Sequence, residues 1–111
     1  MVSRVFGIHQ LMLRAGANAA EFERFYTREF APSLPSGWRI TLLKGFQGDR
    51  EGRYAVLLDV DSLEEFRRIY SGFDVATEEG QRWRDAHAEL GAKYRAYVAQ
   101  HLATDYLEVE R

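Results

Sequence analysis

Histidine is the side chain in this 111-residue sequence best suited to acid–base chemistry, because its ordinary pKa of about 6.5 lies near physiological pH. His9 falls within the run 5–13, on the same alternating face as Leu11 and Leu13. A small-molecule site needs an apolar surface with a few polar groups converging on it. We therefore expect His9 to be a catalytic acid or base, the alternative being a buried neutral histidine bonded to a neighbour.

The other two histidines belong to a long helical pattern. His87 lies between Trp83 and Leu90 on its apolar face, where it is a second catalytic candidate at a pocket entrance or else makes a bonded helix contact. His101 is predicted to end this helix, where a cation offsets the helix dipole. On one helix these two histidines would be about 21 Å apart, too far to share a metal ion. No metal-binding spacing of histidines occurs, and no metal site is expected.

Four aromatic residues are candidates for contact with a ligand. Tyr26 carries a hydroxyl that needs a partner when it is buried, and we expect it to orient a substrate carbonyl or phenolate at the catalytic site. Trp38, Tyr54 and Trp83 are expected to bind substrate by stacking. Packing in the core is the alternative for each of them.

Composition excludes several classes of function. The chain has no cysteine, a net charge of −2 and an isoelectric point near 5.9, so thiolate chemistry and a basic nucleic-acid footprint are not expected. Phosphate-binding glycine motifs are missing, and no cofactor is expected. Apolar runs are far shorter than the ~18 residues of a membrane span. Residues 1–5 lack the apolar core of a signal peptide, so we expect a cytoplasmic protein without a membrane partner.

The hydrophobic pattern predicts alternating strands and helices in one domain, residues 1–111. Asn18 and Ser62 each begin a capping box, and each precedes an apolar helical stripe. The stripe after Ser62 includes Tyr70 and Phe73. The predicted strands are 5–13, 38–46, 53–60 and 104–110, and the long helix covers 77–101.

This order, βαββα(α)β, is that of a ferredoxin-like α+β fold with a four-stranded antiparallel sheet and helices on one face. Both faces of the first three strands are largely apolar. Because the helices cover only one of them, we expect a homodimer whose two sheets pack face to face.

These features resemble the dimeric α/β barrel superfamily over nearly the whole chain. An aromatic-led strand that runs into a capped helix, here 54–66, is typical of its members, and the segment 79–83 is similar to NIPSNAP-like and EthD-like branches. Size and aromatic content resemble antibiotic-biosynthesis monooxygenases. His9 before an apolar strand segment, and Tyr26 four residues after Phe22, are similar to the polyketide cyclases of this fold. Those cyclases carry a His-Pro-x-His segment where this chain has residues 70–75.

The resemblance implies two kinds of function. The first is an enzyme acting on a hydrophobic aromatic or polyketide-like compound, by cofactor-independent oxygenation or by proton-transfer cyclisation or isomerisation. His9 would then be the base, and only oxygenation would consume O₂. The second is a non-catalytic dimeric barrel that binds a hydrophobic metabolite or haem.

Overall fold

A computed structural model describes residues 3–109 and contains the expected four-stranded antiparallel sheet. The strands in these residues are β1 (Val5–Leu13), β2 (Trp38–Lys44), β3 (Tyr54–Val60), β4 (Tyr70–Gly72), β5 (Val75–Ala76) and β6 (Val98–Leu107). The main sheet has the order β2-β3-β1-β6, while β4 and β5 form a separate hairpin. The ferredoxin-like α+β fold predicted from the sequence is confirmed.

The helices all lie on one face of this sheet. They are α1 (Ala19–Phe25), α2 (Leu63–Ile69), α3 (Glu78–Ala86) and α4 (Ala88–Tyr97), and α1 continues into a π-helix (Tyr26–Phe30) and a 3₁₀ turn (Ala31–Ser33). Successive side chains of a strand point to opposite faces. Val5 and Leu11 of β1 are accordingly buried under the helices, whereas Ile8 and Met12 are about half exposed on the other face.

The buried residues form two hydrophobic clusters that meet at β1. The first contains Leu11 and the aromatic side chains of α1 and α4, and the second contains Val5 and the side chains of α2. Gly7 and His9 lie between Val5 and Leu11 on the same helix-facing side of β1. The only polar side chain in this row of β1 is therefore placed where the two clusters adjoin.

No helix of the described residues covers the opposite face of the sheet, which carries large apolar side chains. We call it the open face, and its exposed apolar residues are Ile8, Met12, Leu43, Leu57, Leu102 and Tyr106. Ile8 and Leu57 are directly paired across β1 and β3. Soluble monomers seldom expose contiguous apolar patches of this kind, so the open face is a candidate interface.

The cap predicted at Asn18 is present. The Asn18 side-chain oxygen accepts a hydrogen bond from the Glu21 amide at 2.9 Å. Replacing Asn18 by alanine should lower the free energy of unfolding by about 1 kcal/mol, because an amide at the helix start loses its acceptor. Urea unfolding measures this difference. Asn18→Ser, which restores an acceptor, should recover most of it, and equal losses in both variants would contradict the cap.

The helix predicted over 77–101 is wrong in two respects. The backbone breaks at His87, which separates α3 from α4, and α4 ends at Tyr97. Val98 already pairs with Leu13 of β1, and the pairing continues to Leu107 opposite Val5. Backbone hydrogen bonds along the whole of β1 stabilise this segment as a strand, and they override the helical spacing of its apolar residues. His101 is thus a strand residue, and its predicted role at a helix end is wrong.

Further boundaries differ from those predicted: β2 ends at Lys44 instead of residue 46, β3 begins at Tyr54 instead of residue 53, and β6 ends at Leu107. The helix after Ser62 ends at Ile69, because Tyr70 enters the β4–β5 hairpin, and Phe73 at the hairpin turn is 76% exposed instead of part of an apolar stripe. The last strand begins at Val98, six residues before the predicted start. Glu110, predicted to belong to this strand, lies outside the described residues.

Candidate functional site

Two histidines join a tyrosine and a carboxylate in one hydrogen-bonded row. The Tyr94 hydroxyl lies 2.5 Å from His101 Nδ1, and His101 Nε2 lies 2.9 Å from His9 Nδ1. His9 Nε2 is 3.5 Å from Asp105 Oδ1, a long hydrogen bond that is also an ion pair when His9 is protonated. We call these four residues the histidine cluster.

The pairing of β1 with β6 explains why the histidine cluster forms. Leu11 is opposite His101, His9 is opposite Ala103, and Gly7 is opposite Asp105. His101 and Asp105 therefore flank Ala103 on the helix-facing side of β6. The small Ala103 side chain leaves the His9 ring free to lean toward β6, and the centroids of the two imidazole rings are 4.8 Å apart.

The hydrogen-bond directions in the cluster follow from the Asp105 carboxylate at one end. A carboxylate only accepts, so His9 Nε2 carries the proton and donates to Asp105, which leaves His9 Nδ1 as an acceptor. His101 Nε2–H then donates to His9, and the Tyr94 hydroxyl donates to His101 Nδ1. All four imidazole nitrogens are thereby occupied by groups of the cluster.

Burial keeps the tyrosine end of the cluster protonated. It raises the pKa of Tyr94 far above the ordinary value of 10.0. The phenol is therefore a stable donor to His101 at any physiological pH. Its oxygen retains a lone pair, which can accept a further hydrogen bond.

The pKa of His101 is lowered from its ordinary value of 6.5, first by burial and then by the neighbouring His9, against the opposing effects of Asp74 and Asp105. His101 is exposed as a residue, but both of its ring nitrogens face protein groups. Desolvation at these nitrogens favours the neutral form. The cluster therefore contains a neutral imidazole able to accept a proton.

Stability should fall in acid because of His101. Its folded pKa is below the unfolded value of 6.5, so the stabilisation is complete above pH 6.5 and is lost as the pH falls from there through the folded pKa. His101→Gln should reduce the slope of the unfolding free energy with pH in this window. Urea unfolding at several pH values measures the slope, with His87→Gln as the control for loss of one imidazole. An unchanged slope in His101→Gln would contradict the lowered pKa.

Tyr26, expected at the catalytic site, lies beside the cluster within the aromatic packing. Its ring centroid is 6.4 Å from that of Tyr94, and burial raises its pKa strongly. Phe30 stacks on Tyr94 with centroids 5.3 Å apart. The π-helix places both Tyr26 and Phe30 against α4, with Tyr26 buried and Phe30 partly exposed next to Tyr94.

The other residues predicted for the site have separate contacts. His87 caps α3, with Nδ1 2.8 Å from the Trp83 carbonyl oxygen, and its ring packs on that of Trp83. Trp83 Nε1 donates to the Ser33 carbonyl at 2.9 Å. Trp83 thus ties α3 to the 3₁₀ turn, and the structure does not bring His87 or Trp83 to His9.

Trp38 and Tyr54 are buried in different clusters. Trp38 stacks on Phe66 with ring centroids 5.3 Å apart. The Tyr54 hydroxyl donates to Glu23, and burial together with this carboxylate raises the pKa of Tyr54 to about 12. Neither residue has a recorded contact with the histidine cluster.

Sequence reasoning missed His101, Tyr94 and Asp105 as partners of His9. The signal for two of them was the register of the last strand, since residues an even number apart on one strand share a face, and His101 and Asp105 flank the residue opposite His9. Across residues 3–109 no group of three or more metal-binding side chains is arranged to hold an ion. None of the helices in this range has the length and apolar character needed to cross a membrane.

Known proteins share this fold without close sequence similarity. No family model matches the chain, and no curated protein does. A DABB-family protein with a ferredoxin-like fold from Mesorhizobium loti is 12% identical with a TM-score of 0.62, covering 97% of this chain and 99% of its own. A dimeric ferredoxin-like protein of unknown function from Thermobifida fusca is 14% identical with a TM-score of 0.58, covering 96% and 92%.

A dimeric protein of unknown function from Bacteroides fragilis, also ferredoxin-like, is 14% identical with a TM-score of 0.51 and covers 93% of this chain and 94% of its own. Identities this low establish the fold alone. The chain therefore has the ferredoxin-like fold of structures that include a DABB-family protein and two dimeric proteins, as the sequence resemblance implies.

Proposed function

We propose that the protein is an enzyme that moves protons on a hydrophobic aromatic or polyketide-like compound, in a cyclisation or isomerisation. The observation that carries this proposal is the hydrogen-bonded row Tyr94–His101–His9–Asp105. All of its hydrogen bonds are donated in the same direction, from Tyr94 toward the Asp105 carboxylate. Such an arrangement accepts a proton at one end and stabilises the resulting charge at the other.

The proton step begins at the Tyr94 oxygen. A C–H bond next to a substrate carbonyl breaks, its electron pair moves into the enolate, and the proton passes to the Tyr94 oxygen. Tyr94 simultaneously gives its own proton to His101 Nδ1, and the Nε2 proton of His101 passes to His9 Nδ1. The products are an enolate and a His9 imidazolium beside Asp105. No electrons are gained or lost by the protein.

Asp105 stabilises the charged state that this step creates. In the neutral cluster its contact with His9 is long, at 3.5 Å, and a positive charge on His9 converts it into a charge-assisted bond. Reversal of the step returns the proton to the substrate. Return to another carbon gives isomerisation. In cyclisation the enolate carbon attacks a second carbonyl of the same molecule, the C=O electron pair moves to its oxygen, and this alkoxide takes back the proton held by the cluster.

The aromatic residues next to Tyr94 favour a flat apolar substrate. Phe30, which is partly exposed, supplies ring surface next to Tyr94, and the exposed His101 leaves this edge of the protein open to solvent. A substrate ring packed on this surface would present its carbonyl side to Tyr94. Tyr26 is buried beneath this surface, where its ring packs against that of Tyr94.

We further propose that two copies associate through the open face. Its apolar residues are continuous across β1 and β3, and two structures of the same fold are described as dimeric. The single-domain organisation over 1–111 and the cytoplasmic location remain predictions.

Deuterium incorporation tests the proposed chemistry directly. The protein is incubated in D₂O with a phenyl-substituted 1,3-diketone and with its ester analogue, whose C–H is less acidic, and mass spectrometry follows the label. Catalysed exchange that is lost in His101→Gln supports proton transfer. Consumption of O₂ with product hydroxylation would instead indicate oxygenation. Binding without exchange or O₂ uptake would indicate the non-catalytic barrel for a hydrophobic metabolite or haem.

A further inference from the structure

We propose that Gly7 is a positioning residue of the histidine cluster. The space left by its missing side chain is where His9 Nε2 and the Asp105 carboxylate meet. The consequence of this role for catalysis rests on the proposed function. The contact between His9 and Asp105 can be measured without a substrate. The positioning role and the proposed function can therefore be refuted independently.

The place of Gly7 in the sheet supports this role. It is buried on the helix-facing side of β1, opposite Leu58 of β3 and Asp105 of β6. The side chain of any other residue at position 7 would occupy the space between the Leu58 and Asp105 side chains. With glycine there, the Asp105 carboxylate leans over the β1 backbone toward the imidazole of His9, two residues along the strand.

The backbone does not require glycine at this position. The glycines with left-handed φ angles in the described chain are Gly16, Gly37, Gly48 and Gly52. Gly7 is not among them, and a glycine inside a strand weakens the strand because it has no side chain to pack. Close approach of neighbouring groups is the remaining reason for a glycine within a paired strand.

A single methyl group shows how tight the approach is. A Cβ atom at Gly7 would lie 2.7 Å from His9 Nε2, 2.8 Å from Asp105 Oδ1 and 3.1 Å from Leu58 Cβ. Favourable contacts between heavy atoms begin at about 3.5 Å. Because Leu58 is held in the core, the strain falls on His9 and Asp105. Their contact is already 3.5 Å long, so a further separation breaks it.

Loss of this contact removes the acceptor that selects the tautomer of His9. The proton can then occupy either nitrogen, and the direction of hydrogen bonding through the cluster is no longer defined. We expect Gly7→Ala to lower the rate of proton exchange about 10- to 100-fold, as the loss of an orienting partner typically does. Asp105→Ala should have a similar effect.

The test compares Gly7→Ala, Asp105→Ala and the double variant. Nitrogen-15 spectra of the imidazoles should show the Nε2–H tautomer of His9 in the wild type and a mixture in all three variants. The double variant should resemble Asp105→Ala in its spectra and in its exchange rate. Gly72→Ala is the matched control, because a Cβ there is at an ordinary 3.8 Å from Val75.

An unchanged His9 tautomer in Gly7→Ala, or losses that add in the double variant, would overturn the proposal. If Gly7→Ala does not fold, folding of the double variant supports it, because removing the Asp105 side chain relieves the crowding. Failure of both to fold overturns it, since the clash is then with Leu58. A wild-type protein with the expected tautomer and no exchange activity refutes the proposed function and leaves the positioning role intact.

Discussion

Removing the Tyr94 hydroxyl should lower the rate of catalysed proton exchange about 10²- to 10⁴-fold, the usual contribution of a positioned acid or base. Tyr94→Phe keeps the ring that stacks on Phe30, so the aromatic packing is retained. What is lost is the oxygen through which a substrate proton reaches His101. Because the substrate surface is unchanged, we expect the loss in kcat, with KM little affected.

A tyrosine on the same helix provides the control for this prediction. Tyr97→Phe removes a hydroxyl three residues further along α4, where the ring stacks on Phe25 outside the histidine cluster. It should retain the wild-type rate. Deuterium incorporation measures the exchange rates of both variants, and a loss in Tyr94→Phe alone supports the role of the Tyr94 hydroxyl. Equal rates in Tyr94→Phe and the wild type would show that protons do not enter the cluster at Tyr94.

A charge on the open face should separate the proposed dimer. Leu57→Glu places a carboxylate in the middle of the apolar surface, next to Ile8. Burying one unpaired charge costs several kcal/mol, and a symmetric dimer would bury two. We expect the dissociation constant to rise by at least about 10³-fold, since each factor of ten corresponds to about 1.4 kcal/mol. Sedimentation of the wild type and the variant measures the change.

The control for the dimer prediction is a leucine of equal exposure in the helical layer. Leu57 and Leu63 are both 37% exposed, but Leu63 begins α2, on the other side of the sheet. Leu63→Glu adds the same charge where a helix start tolerates it, and it should leave the dimer intact. Dissociation in both variants would point to a general loss of stability. A wild-type monomer at micromolar concentration would contradict the open face as an interface.

Local and periodic signals allowed most of the fold to be predicted. The alternation in β1 correctly placed His9 and Leu11 on one face of the strand, because a strand has a fixed period of two. The structure shows that this face lies under the helices. Asn18 and Ser62 cap their helices as predicted, since capping depends on residues only three apart. The expectation of one-sided helix cover followed from these elements.

The end of the chain could not be predicted in the same way. Spacings of three and four residues continue from α4 to His101, yet the backbone changes to a strand at Val98 because β1 has a free edge to pair with. This partner is about ninety residues earlier in the sequence. Periodicity in a local window contains no information about it, so tertiary pairing decided the outcome.

The same error concealed most of the candidate site. His9 was identified from its residue type and its face of the strand. Tyr94 and His101 were placed on one helix, which gave His101 no route to β1. Once the last residues form a strand, His101 and Asp105 fall on either side of His9. The candidate site was therefore predictable only to the extent that the register of β6 was.

Imidazole nitrogen-15 spectra of the wild-type protein test the account most directly. At neutral pH the histidine cluster predicts the Nε2–H tautomer for both His9 and His101, with a hydrogen-bonded Tyr94 proton. It also predicts that His101 titrates below its ordinary pKa and that its signals respond when His9 is replaced. Freely averaging tautomers for both residues, with an ordinary pKa for His101, would contradict the cluster and with it the proposed proton transfer.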